Sequence, residues 1–554
     1  MGGKRAWFFA VCVLAPVCAL GQTPSFRGSV RRVLVPVCVT GRHGAVVAGL
    51  KRQDFEILVD GRRVPTLSMD WISATATGVR NRVRRSPPGK FSNAPHPAPA
   101  SWVVLLVDYQ NTQPDDMMWM RTGVLRFLRR GLRPGQPMAI YGLSQGLLLL
   151  QPFTYQRQRL VAAADRWIRP NLQWNLAVTL PRAPKLPGAE KRPAGMKPAG
   201  GPASPVRSLG TDFTRVPSAW SKYQTGARQS GDFSTDGALR HLAILLAPLP
   251  GRKVVIWAGD GQPLLWRPLA APGVHSLSSP EPDGALRSRA ATYQLLNEAN
   301  VELFPLDPRG LLAGIPHVSG PAVAPSNRPV VTDAGQMLNW ADMRVAAQAT
   351  GGKALVGNNF LWQLLGQAQQ EWSNYYLLSF QPPPDAPGKV RYHQIRVRVD
   401  LRGVTVRGRR GYITQAPQVL LAEHPRPGFD MAAASPANLS GVPLIVRWGS
   451  WRRRDKWRTR RYRLGISVGG AGCRKQTPCR LKAGVVISNA RGWIIGQRGY
   501  LVKLRAGSNP AARIWLKGRV RVNSQGPYIA RFMVRSRPSG RFGALILPLD
   551  PPAR

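Results

Sequence analysis

An apolar run that stops at a carboxylate is the strongest feature in the pattern of hydrophobic and polar positions. Residues 103–107 are all Val or Leu, and the chain turns polar at Asp108. Such a run, followed by a helical pattern, is typical of a strand buried on both faces of a parallel sheet. Ligands bind beside the carboxyl ends of such strands. Asp108, Gln110 and Thr112 therefore place three oxygen-bearing side chains in one loop, as a hard cation requires.

Strand and helix patterns alternate from about residue 101 to residue 373. A helix is predicted from Pro114 to Gly131, because proline and acids begin it and cations and a glycine end it. The apolar runs 137–141 and 147–151 lie so close together that they must pair as an antiparallel hairpin. Further strands are predicted at 253–258 and 301–306, and further helices at 155–168, from 234 onward, and at 285–299, 337–349 and 360–372.

Two β-rich segments flank this α/β section. Residues 30–69 carry valines with period two and an Asp60-Gly61 hairpin signal, and three more strand patterns follow at 375–413. Neither segment has enough strands to bury a face alone. We therefore expect them to pack into one β domain, with the α/β domain inserted between them.

Composition predicts the domain boundaries. Residues 170–233 are rich in Pro, Gly, Lys and Arg and have few apolar anchors, which favours a disordered insertion. Short strands separated by Gly, Asn and Pro turns predict a C-terminal β-sandwich-like domain. The predicted order is a signal peptide at 1–21, an N-terminal β segment at 28–73, a linker at 74–100, the α/β domain at 101–373, the pairing β strands at 374–415, a second linker at 416–440 and the sandwich at 441–554.

The first residues have the pattern of a cleaved secretory signal. Lys4 and Arg5 precede an apolar stretch that ends in small residues before Gln22. No later stretch reaches roughly 18 uninterrupted apolar residues, so no transmembrane segment is expected in the mature chain. We expect an exported protein that is periplasmic, outer-surface or secreted. In that setting Cys473 and Cys479 either form a local disulfide or stay reduced.

The formal net charge of +51 at pH 7 is extreme for 554 residues. Such a field attracts anionic polymers, whereas a surface adapted to acidic surroundings would have the same composition. Residues 448–463 interleave tryptophans with arginines, which suits a polyanion-binding strip. The alternative for this strip is an exposed linker that runs into a strand at Leu464, with the tryptophans tucked against the sandwich.

The motifs of common enzymes are absent or lie in the wrong context. Residues 142–146 match the G-x-S-x-G elbow of α/β-hydrolases, but a strand pattern follows where that elbow needs a helix. The sequence has no HExxH motif, phosphate-binding loop or dinucleotide fingerprint. We therefore predict that the protein is not an enzyme, and we assign no catalytic or cofactor-binding residue.

The order of these elements resembles a von Willebrand factor type A domain, and more closely the secreted acidobacterial proteins related to it. The resemblance covers residues 30–412 and is specific in the order of its segments. It implies a doubly wound mixed sheet with helices on both faces, flanked by β-rich segments. The segments that carry it are GLKRQDFEILVDG, VVLLVDYQNT, FLRRGLRPGQPMAIYGL, LAPLPGRKVVIWAGDG, NVELFPLDPRGL, ATGG, YYLLSFQP and RGRRGY.

The resemblance also implies a metal-ion-dependent adhesion site. That site takes an Asp-x-Ser-x-Ser loop, a Thr and a further Asp, which correspond here to Asp108, Gln110, Thr112, Thr235 and Asp260. Gln110 departs from the family serine, and its longer side chain would move the ion or require a water bridge. The implied cofactor is Mg²⁺ or another divalent cation. The alternative is that Asp108 and Asp260 only accept hydrogen bonds from neighbouring loop amides.

Two functions follow from these features. The first is adhesion or scaffolding, in which the loop edge of the sheet binds a protein or another component of the cell envelope. The second is binding of an anionic polymer by an envelope protein, through its basic surface and C-terminal sandwich. Polyanion binding should weaken steeply with ionic strength, whereas metal-bridged binding should vanish with a chelator. Nucleic acid is the less favoured polyanion.

Overall fold

A computed structural model describes most of the chain. The described residues are 32–42, 44–73, 90–94, 99–144, 146–168, 206–209, 235–261, 282–311, 333–383, 391–413, 435–454, 457–473, 478–489, 494–504, 509–523, 526–537 and 539–549. The predicted signal peptide lies outside these residues, as do most of the 170–233 insertion and most of the linker at 416–440. No helix in the described ranges is long and apolar enough to span a membrane.

The described elements are mostly strands. The helices are α1 (Pro114–Arg126), α2 (Arg157–Trp167), α3 (Thr235–Leu246), α4 (Pro282–Glu298), α5 (Asp333–Thr350) and α6 (Leu361–Ser373). A 3-10 turn spans Arg52–Asp54, and α1 continues into a π-helical turn at Phe127–Gly131. The strands are β1 (Val33–Thr40), β2 (Phe55–Val59), β3 (Arg62–Val64), β4 (Ser68–Ser73), β5 (Lys90–Ser92), β6 (Ser101–Asp108), β7 (Met138–Ser144), β8 (Gly146–Thr154), β9 (Val206–Leu209), β10 (Arg252–Ala258), β11 (Val301–Leu306), β12 (Asn374–Phe380), β13 (Tyr392–Val399), β14 (Thr405–Gly408), β15 (Gly411–Ile413), β16 (Leu439–Ser440), β17 (Leu444–Arg454), β18 (Trp457–Ser467), β19 (Cys479–Asn489), β20 (Ile494–Leu504), β21 (Arg513–Asn523), β22 (Tyr528–Ser536) and β23 (Phe542–Pro548).

A mixed five-stranded sheet of order β11-β10-β6-β7-β8 forms the centre of the α/β unit. Strand β6 pairs in parallel with β7 and β10, and β10 pairs in parallel with β11. Strands β7 and β8 pair antiparallel, which is the hairpin that their short connection predicts. Ser144 ends β7 and Gly146 begins β8, so the G-x-S-x-G match lies in this hairpin. The mixed α/β architecture predicted from the sequence is confirmed.

Both faces of this sheet are buried, which explains the unbroken apolar run in β6. Val103 and Leu105 pack on one face with side chains of α1, α2 and α6. Val104 and Leu106 pack on the other face with side chains of α3, α4 and α5. Polar residues therefore do not alternate with apolar ones in this run, and the first polar side chain is Asp108 at the end of the strand.

The N-terminal segment and the strands after α6 share two four-stranded sheets. Their orders are β14-β1-β12-β4 and β15-β13-β2-β3. Side chains from both parts of the chain, among them Val35, Ile57, Leu378 and Ile395, form one core. The α/β unit is thus inserted within this β domain.

Buried ion pairs join the β domain to the α/β unit. Glu371 at the end of α6 is 1% exposed and pairs with Arg407 of β14 and with Lys353. Glu298 at the end of α4 pairs with Arg409 at 3.1 Å. A carboxylate as buried as that of Glu371 is costly without a cation beside it, so the α/β unit depends on Arg407 of the β domain.

Two sheets form the C-terminal sandwich. Their orders are β16-β23-β22-β19-β20-β9 and β21-β18-β17-β5, and their facing side chains share one core that includes Leu464, Val485, Leu516 and Phe532. A disulfide joins Cys473 to Cys479. Residues 448–454 and 457–463 fall on the paired strands β17 and β18, so the expectation of a linker over this strip is wrong. Trp448 and Trp451 do pack against the sandwich core, as that alternative expected.

Two edge strands of the sandwich come from distant parts of the sequence. Strand β5 lies in residues 74–100, which the composition predicts as a linker, and it pairs with β17. Strand β9 lies in residues 170–233, predicted as a disordered insertion, and it pairs with β20. An open sheet edge binds extended backbone through main-chain hydrogen bonds, so such a strand needs little apolar content. The composition of a segment therefore does not predict whether it forms such an edge strand.

Candidate functional site

Asp108 organises the loop at the carboxyl end of β6. One carboxylate oxygen, Oδ1, accepts the backbone N–H groups of Gln110 at 3.1 Å and Asn111 at 3.2 Å. A short polar side chain that accepts backbone N–H groups two and three residues ahead closes the loop on itself. The strand therefore ends in a tight turn built around one carboxylate.

The other oxygen of Asp108, Oδ2, accepts three side-chain donors from different elements. Asn111 Nδ2 lies at 2.8 Å, Trp257 Nε1 of β10 at 3.0 Å, and Thr235 Oγ1 at the start of α3 at 3.3 Å. Asp108 is 0% exposed, and an ionised carboxylate has about four lone-pair positions. Five donors leave no position on this carboxylate for another ligand.

Burial and hydrogen bonding act in opposite directions on the Asp108 carboxyl. Burial raises its pKa, because removal from water disfavours the charged form. The hydrogen bonds from Asn111, Trp257 and Gln110 lower the pKa and offset part of that effect. These hydrogen bonds thus favour the ionised form of the carboxyl, as a nearby cation would.

The other two side chains predicted in the loop also have partners. The Thr112 hydroxyl donates to the backbone carbonyl of Asp108. The Gln110 amide donates to the carbonyl of Ser144 at the end of β7, so this side chain reaches along the sheet edge. A Cβ on Gly259 would lie 2.9 Å from the Asp108 Cβ, and the end of β10 therefore packs directly on the loop.

Asp260 lies next to this loop but has a separate environment. Its Oδ2 accepts the Gln113 N–H at 3.0 Å, while its buried Oδ1 has no hydrogen-bond partner among the described residues. Burial and the neighbouring Asp116 carboxylate raise the pKa of Asp260 to about 8. Arg309 donates to the Asp260 carbonyl at 2.9 Å, but its guanidinium pairs with Asp307.

The arrangement of these five residues does not fit a divalent cation. The structure brings Asp108, Thr112 and Thr235 together, but the Asp108 oxygens are filled by donors, and the Gln110 amide contacts a carbonyl 34 residues away. Mg²⁺ needs about six oxygen ligands in an open octahedral shell. Within the described ranges, no group of three or more His, Cys, Asp or Glu side chains is placed to hold a metal.

Two donors to Asp108 lie outside the predicted set. Asn111 falls between the family positions and Trp257 falls within a buried strand, so the family pattern indicates neither. Asn111 lies three residues after the strand-ending Asp108, where Asn is typical of a turn, but that signal does not give the direction of its side chain. Trp257 can be identified as a donor only from the strand register, which places it beside Leu106 on the neighbouring strand.

A second candidate site is the outer face of the sheet formed by β5, β17, β18 and β21. Lys90, Arg447, Arg463 and Lys517 lie opposite one another across the four strands. Neighbouring strands are about 4.8 Å apart, so this row of four cations spans roughly 14 Å. We call it the cation row.

More cations follow the cation row along the same face. Arg461 lies opposite Arg519, and Arg452 and Arg521 both lie opposite Thr459. The inward residues of the same strands, such as Leu464 and Leu516, are buried, so the alternation turns the arginines outward. None of the four strands contains an Asp or Glu, and the described residues form no ion pair with the cation row.

Arginines cover the tryptophans of this outer face. The Arg447 guanidinium lies 5.0 Å from the ring centre of Trp515, and that of Arg521 lies 4.4 Å from the ring centre of Trp457. These cation–π contacts hold the guanidinium groups in fixed positions. On the inner side, Trp448 packs edge-on against Phe532 in the core.

Comparisons with known proteins add little to this geometry. No family model matches the chain, and no curated protein matches it. The chain is similar to the solved structure of an aerotolerance-related membrane protein from Bacteroides fragilis, with 12% identity and a TM-score of 0.26 over 49% of this chain and 98% of that chain. It is similar to BatB from Bacteroides thetaiotaomicron, with 11% identity and a TM-score of 0.25 over 49% of this chain and 98% of that chain. It is also similar to a von Willebrand factor type A protein from Catenulispora acidiphila, with 10% identity and a TM-score of 0.25 over 61% of this chain and 72% of that chain. Likeness at these TM-scores supports no inference about function.

Proposed function

We propose that this chain is an exported, non-enzymatic protein that binds an anionic polysaccharide through the outer face of its C-terminal sandwich. The observation that carries this proposal is the cation row, in which four positive side chains face one another without a described counter-charge. Like charges directly opposite on neighbouring strands destabilise a sheet. An anionic polymer laid across the row relieves that repulsion, and binding gains this energy.

The geometry of the face favours a polysaccharide over a lipid surface. Protein surfaces that enter a membrane interface present Trp, Phe or Leu side chains that are free to enter the lipid. On this face an arginine lies over one side of Trp457 and of Trp515, and Trp515 remains 36% exposed. Charged side chains outnumber the exposed rings here, which suits an anionic chain lying on the surface.

The same tryptophans disfavour single-stranded nucleic acid. Such ligands bind by stacking bases on aromatic faces, and each stacked base contributes about 1–3 kcal/mol. One face of each of the Trp457 and Trp515 rings already holds a guanidinium group, which leaves less ring surface for stacking. A chain of uronate, sulfate or phosphate groups needs only charge and hydrogen-bond donors, which arginine supplies.

The experiment compares two variants that lose the same charge from different surfaces. The row variant carries Lys90→Gln, Arg447→Gln, Arg463→Gln and Lys517→Gln. The control variant carries four exposed arginines of the β domain changed to glutamine: Arg52, Arg62, Arg396 and Arg402. Binding of each purified protein is measured to polygalacturonate, neutral dextran, anionic lipid vesicles and single-stranded DNA at fixed ionic strength.

We expect wild type and the control variant to bind polygalacturonate and the row variant to lose at least tenfold in affinity. Equal loss in both variants would show that net charge alone drives binding, and it would overturn the proposal. Tighter binding to vesicles or DNA than to polygalacturonate would assign the face to that other polyanion. Circular dichroism spectra of the two variants check that both are folded.

A second candidate function is protein binding at the loop edge of the α/β sheet. Large apolar side chains are exposed in the segments beside this sheet, including Trp119 within α1 at 65%, Leu311 after β11 at 59% and Phe360 before α6 at 56%. Exposed tryptophans at a loop edge are common anchors of protein interfaces. Trp119→Lys should then abolish retention of an envelope protein that the row variant still retains.

A further inference from the structure

We infer that the side-chain amide of Asn111 takes the place of a divalent cation at the loop edge, so that this edge stays assembled without metal. This role of Asn111 is independent of polyanion binding. The residue pattern implies an ion, whereas the hydrogen bonds around Asp108 leave no position for one.

The Asn111 amide bridges two of the five side chains that the resemblance assigns to the ion. Its Nδ2 lies 2.8 Å from Asp108 Oδ2 and 3.0 Å from Thr235 Oγ1. The Thr235 hydroxyl accepts this hydrogen bond and donates its own hydrogen to Asp108 Oδ2 at 3.3 Å. One amide with two N–H groups thus connects the first loop to the start of α3, as a shared cation connects its ligands.

The remaining donors add three more hydrogen bonds to the carboxylate. Trp257 supplies an indole N–H at 3.0 Å from β10, and two backbone N–H groups bind the other oxygen. A buried carboxylate is stable when several hydrogen bonds favour its charged form. Five donors of this kind occupy the carboxylate oxygens and offset part of the cost of burial without a cation.

The two departures from the family pattern agree with this assignment. The Thr112 hydroxyl gives its hydrogen to the Asp108 carbonyl, which fixes the turn from within. The Gln110 amide contacts Ser144 at the next strand end, so it leaves the space beside Asp108 to Asn111. The edge is therefore tied to β7, β10 and α3 by hydrogen bonds alone.

A functional consequence follows for any partner of this edge. An ion with an open coordination position can accept a carboxylate from a partner, whereas an amide enclosed between Asp108 and Thr235 cannot. Binding at this edge is therefore insensitive to chelators, and the exposed apolar side chains around it supply the contact.

The test is a comparison of melting temperatures in EDTA and in millimolar Mg²⁺ or Mn²⁺, with the full-length protein. Asn111→Asp replaces the donor with a second carboxylate of the same shape. Asn359→Asp is the matched control at the same edge, because Asn359 acts through Oδ1, which accepts the Leu311 N–H at 2.8 Å, and Asp retains that acceptor.

For wild type, and likewise for N359D, the melting temperature in EDTA should equal the melting temperature in Mg²⁺ or Mn²⁺. N111D should melt roughly 5–10 °C lower in EDTA, and Mn²⁺ should restore most of that loss, because the new carboxylate pair then binds the ion. Metal-dependent stabilisation of wild type would overturn the inference, as would an N111D variant that loses no stability in EDTA or that Mn²⁺ fails to restore. If N111D does not fold, the wild-type measurement decides alone.

Discussion

Arg463 on β18 lies directly opposite Lys517 on β21, on the solvent side of the sandwich. Their inward neighbours, Leu464 and Leu516, lie opposite each other in the core. The strand register is therefore fixed by burial, and the two cations are held side by side as a result. The repulsion between these two cations lowers the stability of the folded protein.

The first prediction follows from that cost. Lys517→Glu should raise the stability of the protein by about 0.5–1 kcal/mol, because it replaces a like-charge pair by an opposite-charge pair. The same change should weaken polysaccharide binding. Urea denaturation and polymer binding of one protein sample measure both effects, and a gain in stability that disappears at 1 M NaCl would identify it as electrostatic. A variant that lost stability would contradict the repulsion.

The second prediction concerns Glu371, which links the α/β unit to the β domain. Glu371→Gln should destabilise the protein by about 1–3 kcal/mol, because it removes the buried carboxylate that pairs with Arg407 and with the partly exposed Lys353. Glu56→Gln is the control, since Glu56 forms only partly exposed pairs with Arg63 and Arg398. Its cost should stay below about 1 kcal/mol. Similar costs for the two variants, measured by urea denaturation, would argue against a buried link.

The third prediction tests the close approach of β10 to the Asp108 loop. Gly259→Ala should be destabilising, because its Cβ would lie 2.9 Å from the Asp108 Cβ and 3.0 Å from Thr112 Oγ1. Gly366→Ala, inside α6 with open space around its Cβ, should instead stabilise by about 0.5–1 kcal/mol. Thermal melts of the two variants should therefore shift in opposite directions. Stabilisation by both would mean that the loop is not packed on β10.

The fourth prediction is a pH dependence. Burial, together with the charge of Arg409, lowers the pKa of the Lys253 ammonium to about 7. Between that value and the ordinary lysine pKa of about 10.4, the unfolded chain binds more protons than the folded one, so stability should rise with pH. Lys253→Met should remove this part of the rise between pH 7 and pH 10. Lys503→Met, at an exposed lysine, is the control, and equal pH profiles for the two variants would contradict the assignment.

The sequence predicts the α/β unit well because its signals are local. The apolar run of β6, the short connection between β7 and β8 and the terminal signals of α1 each act over a few residues, and the structure contains all three elements. The edge strands β5 and β9 could not be predicted, because an edge strand is fixed by main-chain pairing with a distant partner. Nothing in the composition of Lys90–Ser92 or Val206–Leu209 records that partner.

The candidate site is predicted in position but not in chemistry. Asp108 lies at the carboxyl end of β6, as its apolar run predicts, and it meets Thr235, which the resemblance implies, at the start of α3. The donors that fill the site, Asn111 and Trp257, depend on side-chain direction and on strand register, which the sequence does not display. The arginines of residues 448–463 are evident in the sequence. The alignment of Arg447 and Arg463 with Lys90 and Lys517 follows only from the register of the paired strands.

The salt dependence of polysaccharide affinity tests the central proposal most directly. Dissociation constants of wild type, the row variant and the control variant for polygalacturonate are measured across a series of NaCl concentrations. Each cation that neutralises a polymer charge contributes roughly one unit to the slope of log K against log salt. We predict that the row variant loses roughly three to four units of slope, whereas the control variant retains the wild-type slope. Equal slopes for all three proteins would contradict polysaccharide binding by the cation row.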